Sequence, residues 1–193
     1  MTHKNIRSND KKHKKVEKLL WVDLEMTGLD PEKDKILEVA AVVTTISLRK
    51  LDEFHVVISH SDRTLKNMSD WCKENLAKNG LITAIKRSKT KHKTAEEKLL
   101  KFLDKNFDSE VPIVLAGSSI DFDRAFITRH FKKVEKRLHY RVLDVTSFVI
   151  LFRNKYKIEL KSKNKNKSTE HRAMSDILTS IATLRMCMKH IKK

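Results

Sequence analysis

The first side chains in the sequence whose types and spacing suit catalysis are two carboxylates, Asp23 and Glu25. They follow residues 19–22, a short apolar run that predicts a buried strand. Residues two apart on a strand project from the same face of a sheet, so the two carboxylates are able to share one cation. An Asp-x-Glu pair is also common on solvated surfaces, and the hypothesis of a metal site therefore depends on further acids.

Candidates for those further groups occur in the second half of the chain. Asp121 and Asp123 lie at the start of a helix predicted over residues 121–131, where helix capping is a sufficient role for either of them. Asp176 lies beside the apolar stripe of the last helix, where a buried charge needs a partner. His171 would point about 140° away from Asp176 on a continuous helix, so it is expected at the beginning of that helix. Alone, it would be an ordinary surface histidine.

Four carboxylates and one histidine together suit the hydrolysis of a phosphodiester. Hard divalent cations such as Mg²⁺ prefer oxygen ligands. Two such ions about 4 Å apart can stabilise the attacking and the leaving oxygen of an in-line displacement. A neutral histidine can accept the proton of the attacking water. This interpretation assigns the metal to Asp23, Glu25, Asp123 and Asp176, and the base to His171.

The elements that must position these residues begin with β-rich segments. Residues 36–46 and 53–59 predict strands that continue the first one as an antiparallel meander. Helical periodicity over residues 65–76 ends near Gly80, a residue suited to a left-handed C-cap. A further helix is expected over residues 94–107.

Strands and helices then alternate. Residues 112–116 predict a short buried strand and residues 142–145 a further strand. A helix follows each of them, over residues 121–131 and 148–152 respectively. The last helix has apolar side chains at helical spacing, namely Ala173, Ile177, Ile181, Leu184 and Met188. This order predicts an α/β fold in which helices pack on a mixed sheet.

Composition narrows the class of protein. A chain of 193 residues with 39% hydrophobic content suits one domain, expected over residues 18–193 after a basic, flexible tail over residues 1–17. The net charge of +17 favours polyanionic partners such as nucleic acid, although most of the excess is lysine, which also results from biased coding composition.

The sequence also predicts where the protein works. Cys72 and Cys187 form no CxxC pair, so a disulfide framework or a cysteine zinc site is not expected. No apolar run approaches the length of about 20 residues that crosses a bilayer. We expect a cytoplasmic protein without membrane association, with an organellar matrix as the alternative.

Four stretches resemble the motifs of oligoribonucleases, which belong to the histidine variant of the DEDD exonucleases: residues 20–31, 116–126, 139–145 and 171–177. The first, LWVDLEMTGLDP, is a long and specific match. The second identifies Asp123, rather than Asp121, as the acid. The third resembles a signature that many proofreading relatives lack, and the fourth has His171 and Asp176 at the spacing of the family. The resemblance covers roughly residues 18–193.

This resemblance implies a ribonuclease H-like mixed β-sheet flanked by α-helices. It implies 3′-to-5′ hydrolysis of short RNA, especially dinucleotides, to nucleoside 5′-monophosphates, with two Mg²⁺ or Mn²⁺ ions and His171 as the general base. Substrate contacts are implied for six more residues, Leu29, Trp71, Ser119, Tyr140, Arg141 and Thr146. Among them, Ser119, Arg141 and Thr146 would cap the 5′ phosphate. Tyr140 would reach into the site of the partner subunit in a homodimer.

The sequence departs from the family pattern at Ser118, Asp121, Phe122 and Leu76, which leaves the preferred length of the substrate open. The role of the basic segment over residues 155–167 is open as well. One alternative is a DNA or general single-strand 3′-to-5′ exonuclease of the same fold. Another, from a different class, is a catalytically silent RNA-binding module that uses the basic surface.

Overall fold

A computed structural model describes residues 16–159 and 172–191, and these contain one mixed sheet. Its strands are β1 Lys18–Met26, β2 Ile36–Thr45, β3 Lys50–Val57, β4 Ile113–Gly117 and β5 Leu138–Asp144. The strand order is β3-β2-β1-β4-β5. The pairs β1–β2 and β2–β3 are antiparallel, whereas β4 is parallel to both β1 and β5. The predicted meander and the α/β fold class are confirmed.

Eight helices accompany the sheet in the described residues. They are α1 Asp62–Lys66, α2 Asp70–Lys78, α3 Leu81–Arg87, α4 His92–Asn106, α5 Ile120–His130, α6 Lys132–Glu135, α7 Val145–Tyr156 and α8 Ala173–Ile191. Helices α4 and α5 pack on one face of the sheet, and α7 and α8 pack on the other. None of the described helices is both long enough and apolar enough to span a bilayer.

The alternation of side chains along β1 determines which face each residue serves. Leu20 and Leu24 point into the core that α4 and α5 cover, whereas Leu19 and Trp21 point towards α8. The Nε1 atom of Trp21 donates a buried hydrogen bond of 2.9 Å to Thr44 Oγ1. A fully buried side chain of this size contributes about 1.5–3 kcal/mol, so the register of this central strand is strongly fixed.

The single helix predicted over residues 65–76 is wrong. The chain leaves the helical conformation at Ser69, which has a φ of −58° and a ψ of 152°. Its hydroxyl caps α2 by accepting a hydrogen bond from the amide of Cys72. The serine cap therefore divides the segment into α1 and α2. Gly80 does adopt the predicted left-handed conformation, with a φ of 77°.

Two short helices, α3 and α6, were not predicted, and β3 begins three residues earlier than expected. Cys72 and Cys187 are buried free thiols. The predictions for residues 1–15 and for most of the basic segment, and the position of His171, lie outside the described residues.

Candidate active site

Three carboxylates converge on the face of β1 that α8 covers. Asp23 and Glu25 continue the side of β1 to which Trp21 belongs, and Asp176 lies in the first turn of α8. One carboxylate oxygen from each of the three residues lies within 4.8 Å of the others. The structure thus brings together two acids from the first motif and one from the fourth.

Burial and mutual repulsion characterise this cluster. Burial, with the neighbouring charges of Asp123, Glu25 and Asp176, raises the pKa of Asp23 well above its ordinary range. Burial also raises the pKa of Glu25 to about 8, with further contributions from Glu38 and Asp176. Acids in such a cluster are stabilised in their ionised form by a nearby cation. Their oxygen ligands and excess negative charge fit a hard divalent cation.

Asp123 reaches the same region from the other face of the sheet. It lies on α5, it is 7% exposed, and its Oδ1 accepts a hydrogen bond of 2.8 Å from the backbone amide of Leu24. Burial raises its pKa to about 7, against the opposing effect of this hydrogen bond. Leu24 lies between Asp23 and Glu25 in β1, so Asp123 is held directly beside the cluster. Asp121, in contrast, is exposed.

A partly buried ion pair that the motifs did not reveal lies next to these acids. Glu38 is 1% exposed and lies opposite Glu25 in the β1–β2 register. Its carboxylate accepts hydrogen bonds from Arg172 Nη2 at 2.6 Å, from His55 Nε2 at 2.6 Å and from the amide of Ala173 at 3.3 Å. Although burial acts to raise it, the bonds from His55 and Arg172 hold the pKa of Glu38 below its ordinary value. Glu38 is a charged residue within an otherwise mostly apolar strand, and this was the sequence feature from which a buried partner could have been inferred.

A second polar cluster joins the turns that follow β4 and β5. The amide of Ser119 donates to Thr146 Oγ1 at 2.9 Å and to Asp144 Oδ1 at 3.1 Å. The hydroxyl groups of Ser119 and Thr146 are 3.2 Å apart, and the amide of Thr146 donates to Asp144 Oδ1 at 2.7 Å. Two residues of the expected phosphate cap are thus adjacent. Asp144 was not singled out from the sequence.

The remaining candidate residues are exposed. Leu29 is 69% exposed in the loop after β1, and Trp71 is 59% exposed on α2. Tyr140 is 72% exposed on β5, an edge strand, and the guanidinium of Arg141 lies 5.0 Å from the centre of its ring. His171 immediately precedes the first described residue of the α8 segment, Arg172.

The positions that depart from the family pattern have distinct environments. Leu76 is 1% exposed and packs in the core formed by α1, α2 and α3. The hydroxyl of Ser118 lies 2.8 Å from that of Ser180 on α8. Phe122 and Asp121 are exposed at the start of α5. Leu76 is therefore a packing residue, whereas the other three face solvent or α8.

Comparisons with known proteins agree with this arrangement. A family model described as an exonuclease, RNase T, matches residues 20–184. The mitochondrial oligoribonuclease of Mus musculus is 39% identical over 178 residues, which cover 92% of this chain and 74% of the relative. A probable oligoribonuclease of Dictyostelium discoideum is 40% identical over 169 residues and 87% of each chain. The oligoribonuclease of Haemophilus influenzae is 39% identical over 176 residues, 91% of this chain and 95% of its own.

Solved structures share the fold at much lower identity. Exonuclease I of Methylocaldum szegediense superposes with a TM-score of 0.65 at 20% identity and covers 91% of this chain. A zinc-bound complex of E. coli exonuclease I with single-stranded DNA gives a TM-score of 0.68 at 16% identity. The chain spans 41% of the length of either structure. The predicted ribonuclease H-like fold is confirmed, and the chain belongs to the oligoribonuclease family of exonucleases.

Proposed function

We propose that the protein is a metal-dependent 3′-to-5′ exoribonuclease that degrades short RNA oligonucleotides, especially dinucleotides, to nucleoside 5′-monophosphates. The convergence of Asp23, Glu25 and Asp176, with Asp123 bonded beside them, is the observation that carries the proposal. These acids occur in a chain about 39% identical to curated oligoribonucleases.

The four carboxylates would hold two divalent cations, Mg²⁺ or Mn²⁺. Such ions, when bound, stabilise charge on the phosphate and on the attacking and leaving oxygens. Asp123 is oriented for this role because one of its oxygens is fixed by the Leu24 amide. Burial and the charges of neighbouring acids raise the pKa values of Asp23 and Glu25, and a bound divalent cation would lower them.

His171 is the proposed general base. It directly precedes Arg172, whose guanidinium is held by Glu38 where α8 begins. A base must lie within hydrogen-bond reach of the water whose proton it accepts. The Glu38–Arg172 pair supports this by fixing the chain immediately after His171.

Substrate recognition combines a phosphate cap with contacts to the bases. Ser119 and Thr146 offer adjacent hydroxyl groups, and Arg141 offers a planar fork of donors that suits phosphate oxygens. Leu29 presents an exposed apolar side chain that would wedge against the bases, and Trp71 presents an exposed aromatic ring that would line the pocket and can stack on a base. A cap that closes on the 5′ phosphate favours dinucleotides because a longer chain prevents its closure.

The proposed assembly is a homodimer in which Tyr140 completes the site of the partner. Tyr140 lies on an edge strand and is 72% exposed. Further apolar side chains, Val142 on β5 and Ile150 and Leu151 on α7, are also exposed. Exposed apolar side chains of this kind are candidates for contact with a partner. The free thiols of Cys72 and Cys187 suit a reducing compartment, and we propose that the protein works in the cytoplasm.

The test uses purified protein with 5′-labelled RNA of two, five and about 20 nucleotides and a DNA dinucleotide of matched sequence, in Mn²⁺ or in EDTA. Asp123→Asn is the inactive variant, because asparagine retains the oxygen that Leu24 binds but lacks the charge. Rapid, metal-dependent loss of the RNA dinucleotide, absent in the variant, is expected.

A DNA or general single-strand exonuclease is the second candidate, since the shared fold occurs in exonuclease I bound to single-stranded DNA. Faster loss of the DNA dinucleotide or of the longest RNA would favour it. Absence of cleavage for every substrate would contradict both and favour a silent RNA-binding module.

A further inference from the structure

Asp144 occupies an unusual position between the two turns of the polar cluster. As the N-cap of α7, it accepts a hydrogen bond from the amide of Thr146 at 2.7 Å, which is ordinary capping. The same oxygen, Oδ1, also accepts the amide of Ser119 at 3.1 Å, from a turn 25 residues earlier in the chain. Capping of α7 alone does not require this second bond.

Ser119 needs such support because of its backbone conformation. It has a φ of 51° and a ψ of 41°, the left-handed region that residues other than glycine rarely adopt. Its side chain makes no capping bond to α5. Two acceptors instead hold its amide, Asp144 Oδ1 and Thr146 Oγ1. The orientation of the Ser119 hydroxyl therefore depends on groups that belong to α7.

The sheet explains why these turns meet. Gly117 and Asp144 are paired at the carboxyl ends of the parallel strands β4 and β5, so the segments after them leave the sheet side by side. Asp144 is half-buried beneath the turns, and a carboxylate would repel a phosphate. A role in direct contact with the ligand is thus unfavourable, whereas a role in orienting the neighbouring donors is consistent with both of its hydrogen bonds.

We propose that Asp144 is a positioning residue for 5′-phosphate selectivity. It holds Ser119 and Thr146 at the separation at which both hydroxyl groups bind one terminal phosphate. This inference rests on the proposed function, because it assigns the cause of selectivity at the same site. It predicts that the loss of Asp144 lowers the preference for a 5′-phosphorylated dinucleotide over its 5′-hydroxyl counterpart.

The experiment compares these two RNA dinucleotides, in Mn²⁺, with the wild-type protein, Asp144→Ala and Asp144→Asn. Asp144→Ala is expected to raise KM for the phosphorylated substrate about tenfold, the effect of losing a hydrogen bond to a charged group. Its effect on the 5′-hydroxyl substrate is expected to be much smaller. Asp144→Asn keeps an acceptor oxygen and is expected to restore most of the preference.

Two further variants separate positioning from simple loss of stability. The hydroxyl of Ser61 caps α1 by accepting a hydrogen bond from the amide of Thr64. Ser61→Ala removes this cap and is expected to retain the full preference for the 5′-phosphorylated dinucleotide. Asp144→Ser keeps a good helix cap on a shorter side chain and is expected to lose the preference while α7 stays folded. If Asp144→Ala fails to fold, Asp144→Ser provides the test of the preference in its place.

The outcomes distinguish this inference from the proposed function. An unchanged preference in folded Asp144→Ala and Asp144→Ser would overturn the inference alone. Equal losses of kcat on both dinucleotides would also overturn it, since Asp144 would then act through Ser119, the N-cap of α5, on Asp123 in that helix. A wild-type protein that cleaves neither dinucleotide would overturn the proposed function itself.

Discussion

Glu38, which is buried, and Arg172, which is partly exposed, form an ion pair between residues 134 positions apart in the sequence, with Arg172 Nη2 at 2.6 Å and Nε at 3.1 Å from Glu38 Oε1. Glu38 lies opposite Glu25 on the neighbouring strand, and Arg172 immediately precedes α8, which carries Asp176. The pair therefore connects the strand side of the acidic cluster to its helix side. Its removal is expected to affect both stability and the site.

Arg172→Ala is expected to destabilise the protein by about 3 kcal/mol, the lower end for breaking a buried pair, because Glu38 is buried but Arg172 is 30% exposed and His55 still binds Glu38. Urea unfolding followed by circular dichroism measures this free energy. Arg129→Ala is the matched control: Arg129 forms an exposed ion pair with Glu32, and its removal is expected to cost less than about 1 kcal/mol. Equal costs for the two variants would contradict a structural role for the Glu38–Arg172 pair.

Divalent cations are expected to stabilise the folded protein, because they bind the converged acids but not the dispersed acids of the unfolded chain. At a free concentration of about 100 times Kd the gain is about 2.7 kcal/mol. Differential scanning calorimetry with Mn²⁺ and with EDTA measures it without any assay of activity.

Asp176→Asn tests which residues produce this shift. The variant is expected to stabilise the metal-free protein, because the charge of Asp176 raises the pKa of both Asp23 and Glu25, and to reduce the Mn²⁺ shift. Glu74→Gln, on the exposed side of α2, is expected to retain the full shift. A full shift in Asp176→Asn would argue against this metal site.

Mixing two inactive variants tests the contribution of Tyr140 across a dimer. The Tyr140→Ala homodimer and the Asp123→Asn homodimer are each expected to be inactive, because every site in them lacks one of the two groups. If Tyr140 acts on the partner, only a mixed dimer contains a site with both. After exchange of subunits, half of the dimers are mixed and each contains one intact site, so roughly a quarter of the wild-type activity is expected to return. Light scattering shows whether the proteins are dimers, and native mass spectrometry shows whether mixed dimers have formed. A mixture that stays inactive although mixed dimers are present would mean that Tyr140 acts within its own subunit.

Stability is expected to decrease at acidic pH because of two neighbouring histidines. The rings of His92 and His130 are 5.8 Å apart, and their buried Nε2 atoms have no hydrogen-bond partner among the described residues. Burial lowers the pKa of both below the ordinary value of 6.5, and the charge of Lys35 acts in the same direction. The unfolded chain therefore binds more protons than the folded one below that pH, and the stability present above pH 6.5 is lost as the pH falls.

Urea midpoints at about pH 7.5 and about pH 5.5 measure this loss. The double variant His92→Gln/His130→Gln is expected to show a smaller difference between the two midpoints than the wild-type protein. The comparison with the variant is needed because the raised pKa values of Asp23 and Glu25 increase the stability of the folded protein as the pH falls, which opposes the effect of the histidines. Identical differences in both proteins would contradict the prediction.

Local sequence patterns predicted much of the fold. The apolar run before Asp23 and Glu25 predicted β1 and the shared face of these acids, because the side-chain period of a strand is two. The helical spacing after Ala173 predicted α8 and the position of Asp176 at its buried border. Periodicity wrongly predicted one helix over residues 65–76, because it does not register the capping hydroxyl of Ser69 that starts a second helix.

The amino-acid sequence by itself thus determined most strands and the main helices, because these depend on neighbours within a few turns of the chain, whereas the choice of Asp123 over Asp121 rests on the motif resemblance. Only the tertiary structure decided that Glu38 would pair with Arg172 and that Asp144 would hold Ser119. Those contacts depend on the strand order β3-β2-β1-β4-β5, which brings segments distant in sequence side by side. No local period encodes that order, since it results from the burial of both faces of one sheet beneath helices from separate parts of the chain.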